Sequence, residues 1–243
     1  MTRARSHIGT SGWAYDHWKG PFYPADLPDA DMLDHYLKHF RSVEINNSFY
    51  HLLQRRTLAQ WHDMTPADFV FSVKASRYIT HMKKLNDARA STRKFFERVT
   101  ALENKLGPVL FQLPPRWQFN EERLEQFLGA LSGEFRYTFE FRDQSWINDR
   151  CLELLARFDA AFCIYELDSY LSPKHITTDF IYIRLHGPGG AYQGNYDTRT
   201  LSGWAGAIST WTDKGFKVYC YFDNDEGGYA ALNGLRLREM LGG

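Results

Sequence analysis

The 243-residue chain carries no net charge, because 29 Lys and Arg residues are balanced by 29 Asp and Glu. That balance removes bulk electrostatics as a reason to bind nucleic acid or an anionic membrane; such binding would need a local basic patch. No stretch approaches the ~20 consecutive apolar residues of a membrane span. The opening MTRARSHIGTSGW runs from a short basic stub into a strand-like segment and lacks the apolar core of a secretory signal. Cysteine is scarce: Cys151, Cys163 and Cys220 are odd in number and lack zinc-ligand spacing. Cys163 and Cys220 lie in apolar runs, where a thiol packs as a small hydrophobe. A reduced, cytoplasmic protein with no membrane partner is expected. Also missing are a linker, a low-complexity tract, a GxGxxG after the first apolar run, an HExxH helix, a nucleophile elbow and a Cys–His pair. Disorder is excluded as well, since 44% of residues are hydrophobic. The aromatic content of 16%, with seven tryptophans, implies a sizeable core, an aromatic-lined pocket, or both.

Short apolar runs alternate with longer helical patterns. The runs are residues 7–12, 43–47, 69–75, 109–113, 137–141, 160–165, 180–185 and 217–222. Their brevity and their β-branched and aromatic content suit buried parallel strands. Between them, Met32, Leu33, Tyr36, Leu37 and Phe40 share one helical face. Phe95, Val99, Leu102 and Leu106 form a second stripe, with Gly107-Pro108 as its stop signal. Asn120 is placed to cap a helix over 121–131. Late helices are expected around Leu201–Trp211 and over 229–241. Residues 166–179 hold Pro173 and little periodicity, so the helix between the sixth and seventh strands should be reduced or missing. Eight runs with intervening helices in one domain spanning 1–243 fit an α/β (β/α)8 TIM barrel better than a doubly wound open sheet.

In a barrel, functional groups sit where strands end and βα loops begin. The runs here end in Glu44, Asn46 and Ser48; Ser72 and Lys74; Gln112; Glu140 and Arg142; Arg184 and His186; and Asp223 and Asn224. Alternation puts Glu44, Asn46 and Ser48 on one face and Val43 and Ile45 on the other. The apolar set should meet the helices, and the charged set should point into the barrel mouth. The competing reading is a structural ion network among Glu44, Lys74, Glu140, Arg142 and Arg184, since buried charges must be paired whether or not they act. Rings also concentrate after the strands: Trp13, Tyr15, Trp18, Phe49, Tyr50, Trp117 and Trp146. They could stack on sugars or bases, or simply plug the barrel top.

The loop HGPGGAYQGNY (186–196) is rich in glycine, which lets backbone N–H groups approach an anion, with Arg142 and Arg184 adding charge. The loop FDNDEGGY (222–229) is acidic and better suited to hydroxyls or a cation. Glu44, Glu140, His186 and Asp223 offer divalent-metal donors from four strands. Lys74 could neutralise those carboxylates instead, so no metal or other cofactor is required and a divalent metal is the alternative. His81 and His186 are the best proton-transfer candidates.

The segments GTSGWAYDHWKGPFYP (9–24), VEINNSFYHL (43–52), FVFSVKASRYITH (69–81), GPVLFQLPPRW (107–117), FEFRDQSW (139–146), YIRLHG (182–187) and VYCYFDND (218–225) resemble, in order and almost end to end, the YecE-like family, known as domain of unknown function seventy-two. The resemblance implies a TIM barrel of unestablished activity. It also implies a fold likeness to metal-dependent barrels such as xylose isomerases and endonuclease-four-like enzymes. Where the family usually ends its last strand in Phe-Asn-Asn, this chain has Phe222-Asp223-Asn224, which weighs against Asp223 as a catalytic carboxylate.

The expected function is an enzyme, of hydrolase, isomerase or lyase type, binding a small anionic ligand such as a sugar phosphate or sugar acid. The candidate catalytic residues are Glu44, Lys74, His81, Glu140 and His186. The candidate ligand contacts are Trp13, Asn46, Tyr50, Gln112, Arg142, Trp146, Arg184, Asp223 and Asn224. The alternatives are a nucleic-acid-binding protein or metal-assisted phosphodiesterase, with Lys19, Arg55, Arg56, Lys83, Lys84 and Arg116 as a basic rim, and a non-catalytic binding module.

Overall fold

The computed structural model describes residues 6–242; the basic stub at positions 1–5 lies outside them. The strands are β1 (Ser6–Thr10), β2 (Ser42–Ile45), β3 (Val70–Lys74), β4 (Leu106–Leu113), β5 (Tyr137–Phe141), β6 (Ala160–Leu167), β7 (Tyr170–Leu171), β8 (Phe180–Leu185) and β9 (Lys217–Phe222). The α-helices among the described residues are α1 (Met32–His39), α2 (Arg55–Met64), α3 (Ala88–Val99), α4 (Glu121–Ala130), α5 (Asp149–Arg157), α6 (Thr198–Asp213) and α7 (Tyr229–Met240). The sheet order is β1-β9-β8-β6-β5-β4-β3-β2, with β7 lying off that path beside β6. The fold is an α/β (β/α)8 barrel of the TIM type.

As the sequence predicts, no α-helix joins β6 to β8. In its place β6 turns back on itself: Glu166 pairs with Leu171 and Leu167 with Tyr170. Asp168 and Ser169 both have positive φ, at 50° and 62°, the twist that a two-residue hairpin turn requires.

The chain divides into two compact units. The first holds residues up to Glu44, Ile164–Lys174, and those from Phe180 onward. In it β1 and β8 flank β9 in parallel register, with Gly9 opposite Tyr221 and Arg184 also opposite Tyr221. Beyond β1 lies β2, joined by an isolated parallel bridge between Ser11 and Glu44 and by the Gly12 N–H, which donates to the Glu44 carbonyl at 2.8 Å. This approach explains Gly9: a Cβ there would lie 2.1 Å from the Ser42 carbonyl oxygen. Tyr36 of α1 reaches the same seam, where its hydroxyl donates to Ser42 O (2.9 Å) and accepts from Thr10 N (3.1 Å).

The second unit holds Ile45–Cys163 and His175–Asp179. In it β4 lies between β3 and β5, all parallel. Residues 107–108, expected to stop a helix, instead fall inside β4. The stripe from Phe95 leaves the α-helix at Val99, passes through a 3-10 segment at Thr100–Lys105, and becomes strand at Leu106. Proline has no N–H for the ladder, so the β3–β4 register slips there: Phe71 pairs with Leu106 but Val73 with Val109. Gly107 fits because a Cβ would lie 2.6 Å from Val70 Cγ1. Asn120 caps α4 as expected, its Oδ1 accepting from Arg123 N at 2.9 Å. Buried Lys105 serves the other end of α2: its Nζ donates to the carbonyls of His62 and, at 2.7 Å, Thr65. A cation there suits a helix C-terminus. The three cysteines are buried, and among the described residues none is in a disulfide.

Candidate functional site

In the first unit the C-terminal ends of β2, β8 and β9 bring together Glu44, Arg184, His186 and Asp223. Glu44 is fully buried and accepts from Ser11 Oγ (2.6 Å), Tyr182 Oη (2.6 Å), and Arg184 Nη2 (2.8 Å) and Nε (3.2 Å). Arg184 Nη2 also donates to Asp223 Oδ2 at 2.9 Å. Arg184 Nη1 faces His186 Nε2 at 3.3 Å, and His186 Nδ1 lies 2.9 Å from Asp223 Oδ2. With Nε2 accepting from a guanidinium, the ring proton sits on Nδ1, on the Asp223 side. The guanidinium occupies the place between Glu44 and Asp223 that a cation would take. Among the described residues no three His, Cys, Asp or Glu side chains are grouped as metal ligands would be.

Arg184 and His186 are both 0% exposed. Arg184 is therefore the hub of an ion network rather than an anion clamp, and both ring nitrogens of His186 face protein groups. Around them the charge is acidic. Burial, then Asp223, Asp225 and Glu44, push the Tyr15 hydroxyl well above its usual range. Burial and Asp223 raise the Asp225 carboxyl.

The second unit places Lys74, His81, Glu140 and Arg142 at the ends of β3 and β5 and in the turn after β3. Lys74 Nζ lies 4.4 Å from the centroid of Phe49, and His81 meets the same ring edge-on at 5.0 Å. His81 stands on a single π-helical turn, Tyr78–Met82, and its Nδ1 pairs with Thr80 Oγ1 at 2.9 Å. Burial pushes its pKa down to about 4, reinforced by the positive charges of Lys74, Arg77 and Arg142. The ring is therefore neutral at pH 7. Glu140 is fully buried, binds the Arg142 Nε, and has Cys163 Sγ at 3.9 Å.

The remaining candidates have different placements. Tyr50 is 67% exposed. Trp13 is buried at the end of β1, and its carbonyl accepts from Tyr23 Oη at 2.6 Å. Asn46 is half-buried just past β2, where the chain turns into a 3-10 segment. Gln112 is buried, its Nε2 reaching Leu113 O at 3.4 Å. Trp146 is fully buried, stacked on Phe141 at 5.1 Å, so it supports its neighbours rather than presenting a face to a ligand. Asn224 is fully buried too and ties Gly194 O (2.8 Å) to Asn233 Oδ1 (2.9 Å) of α7.

The glycine-rich loop turns its N–H groups inward: Gly187 to Tyr196 Oη (3.0 Å), Gly189 to Gln193 O (3.4 Å) and Gly194 to the Glu226 carboxylate (3.3 Å). It is a tight turn, not a phosphate cradle. Within the expected basic rim, Lys19 pairs with Asp29 and Lys83 with Asp87. No helix among the described residues is long and apolar enough to cross a membrane. The strand-end pattern does not mark Ser11, Tyr182 or Arg77. Tyr182 was legible as the residue two before Arg184 on the same strand face, whereas Ser11 joins only because β1 approaches β2.

Residues 7–243 match the family model described as protein of unknown function DUF72. UPF0759 protein YunF of Bacillus subtilis is 26% identical, over 97% of this chain and 94% of that protein. UPF0759 protein YecE of Escherichia coli is 29% identical, over 56% of this chain and 48% of that protein. A solved DUF72 family protein from Thermotoga maritima superposes with a TM-score of 0.88 at 28% identity, covering 98% of this chain and 99% of that one. One from Enterococcus faecalis shares the fold, with a TM-score of 0.84 at 17% identity over 98% and 96% of the two chains. The chain belongs to the DUF72 family of proteins of unknown function.

Proposed function

We propose that the protein is an enzyme that binds a small anionic molecule, of the sugar-phosphate or sugar-acid class, and acts on it by acid–base chemistry. The supporting observation is His81, a neutral imidazole held beside Lys74, Arg77 and Arg142. A phosphate or carboxylate supplies the negative charge that this group of cations favours. Arg142 is oriented by its bond to buried Glu140, and Lys74 by the face of Phe49. Neutral His81 can accept a proton at one ring nitrogen and donate at the other. Its partial exposure leaves it reachable, unlike buried His186.

An anion beside His81 offsets the cations that hold its pKa down, so binding and proton uptake are coupled. Affinity should therefore rise as the pH falls toward about 4. The test is a thermal-shift screen of phosphate- and carboxylate-bearing sugars. Hits are then titrated calorimetrically in two buffers of different ionisation enthalpy, against wild type, Lys74→Met and Arg142→Met. Stabilisation by an anionic sugar, proton uptake on binding and loss of both in the variants support the reading. No stabilising anion, or unchanged binding in both variants, overturns it. Binding confined to DNA or RNA, with a steep salt dependence, would replace it with the nucleic-acid alternative.

A further inference from the structure

A concavity in the 45–163 unit shares no residue with the His81 cluster. It is a cleft of about 640 Å³ lined by Arg116, Trp117, Gln118, Phe119, Asn120 and Asp143. Its floor is aromatic and supported from below. Trp117 meets buried Trp146 at 5.0 Å and Phe119 meets it at 5.3 Å, both edge-on, while Trp146 is stacked on Phe141. Trp117 and Phe119 are themselves half-buried, so each keeps part of its ring in the cleft.

The lining is fixed by its own hydrogen bonds. Trp146 Nε1 donates to Trp117 O, and Phe119 N donates to Ser145 Oγ at 2.8 Å. Ser145 in turn donates to Asp143 Oδ1 through its N–H (3.0 Å) and its hydroxyl (2.6 Å). These bonds, the hydroxyl first, hold the Asp143 carboxyl below its ordinary pKa, so it is an acceptor at neutral pH. The aromatic floor and the Asp143 carboxylate are thus ordered before a ligand binds, which lowers the entropy cost of binding there.

The chemistry of the lining selects the ligand. One guanidinium and one carboxylate balance, so the cleft favours neither a bare anion nor a cation. The amides of Gln118 and Asn120 add both donors and acceptors. Planar polar groups around an aromatic floor match a ring with one C–H face and a rim of hydroxyls. We infer that this cleft is a saccharide-binding site, with a pyranose lying on Trp117 and its hydroxyls bonded to Asp143 and Arg116. The inference stands independently of the reading of His81.

The test is NMR titration of the Trp117 indole N–H, assigned by its loss in Trp117→Ala, with cellobiose, maltotriose and N,N′-diacetylchitobiose up to tens of millimolar. At least one should shift that resonance saturably. Trp117→Ala, followed through backbone amides of residues 118–120, should weaken binding roughly tenfold or more. Trp117→Phe should recover part of the loss, and Asp143→Asn should weaken binding while the melting temperature holds. If Trp117→Ala misfolds, Gln118→Ala and Asp143→Asn carry the comparison. No saturable shift with any of the three, affinity unchanged in the variants, or displacement by nucleosides and not by saccharides would overturn the inference.

Discussion

Removing the carboxylate of Glu44 should be among the most damaging single changes in the first unit. Glu44 accepts four hydrogen bonds, two of them from Arg184, and both residues are fully buried. Glu44→Ala leaves the guanidinium with half its carboxylate complement. Breaking a buried pair from one side costs about 3–5 kcal/mol. Arg184 keeps Asp223 at 2.9 Å, which points to the lower end, about 3 kcal/mol. Glu44→Gln preserves shape and most bonds but loses their charge assistance, at about 1.5–3 kcal/mol. Arg184→Met alone strands two carboxylates. The double variant Glu44→Ala/Arg184→Met removes the stranded guanidinium, so its cost should fall below the sum of the singles by about 2 kcal/mol. Urea unfolding at pH 7, followed by far-UV circular dichroism, measures the wild type and all four variants. For a chain of this size the alanine variant should melt roughly 6–12 °C lower. An alanine variant within about 1 kcal/mol of wild type, or a cycle with no coupling, would refute the view that this network is the electrostatic hub of its unit.

The two-dimensional NMR titration of His81 should show a midpoint near 4, with no protonation above pH 6. Lys74→Met should raise that midpoint only in part, because burial is the larger cause. Since unfolded His81 titrates near 6.5, the unfolded state binds the extra proton between about 6.5 and about 4. His81 therefore costs stability as the pH falls through that window, and His81→Gln should flatten the acid limb of the stability curve. Gly9→Ala forces a methyl group against the Ser42 carbonyl and should cost roughly 3 kcal/mol or prevent folding. Gly203→Ala in α6, with nothing within 4 Å of its Cβ position, should stabilise by about 0.5–1 kcal/mol in the same denaturation assay. Lys105→Met strips the cation from the last turn of α2 and should cost about 2 kcal/mol. A loss under 0.5 kcal/mol would mean that water serves those carbonyls equally well.

What the sequence determined alone was the periodic part of the structure. The runs at β5, β8 and β9 were read with the bounds the structure gives, and the gap between β6 and β8 was read from Pro173 and the absent helical stripe. Such signals are local: burial of one face imposes a period of two or of 3.6, whatever lies across the core. Helix α2 buries only Leu58, so its stripe is faint; α5 buries Cys151, Leu154 and Leu155 on one face, a stripe the sequence does carry. The β4 start was misread because Gly107-Pro108 is also a helix stop, and only the bulge against β3 distinguishes the two. The polar residues at strand ends were legible as a set, but their roles were not. Arg184 and His186 look like Arg142 and His81 on paper. The first pair is sealed into an ion network in one unit, while in the other His81 stays partly exposed among cations. Only tertiary structure decides this, because the charge a side chain can hold and the partner it can take depend on the solvent and neighbours that distant strands give it or deny it.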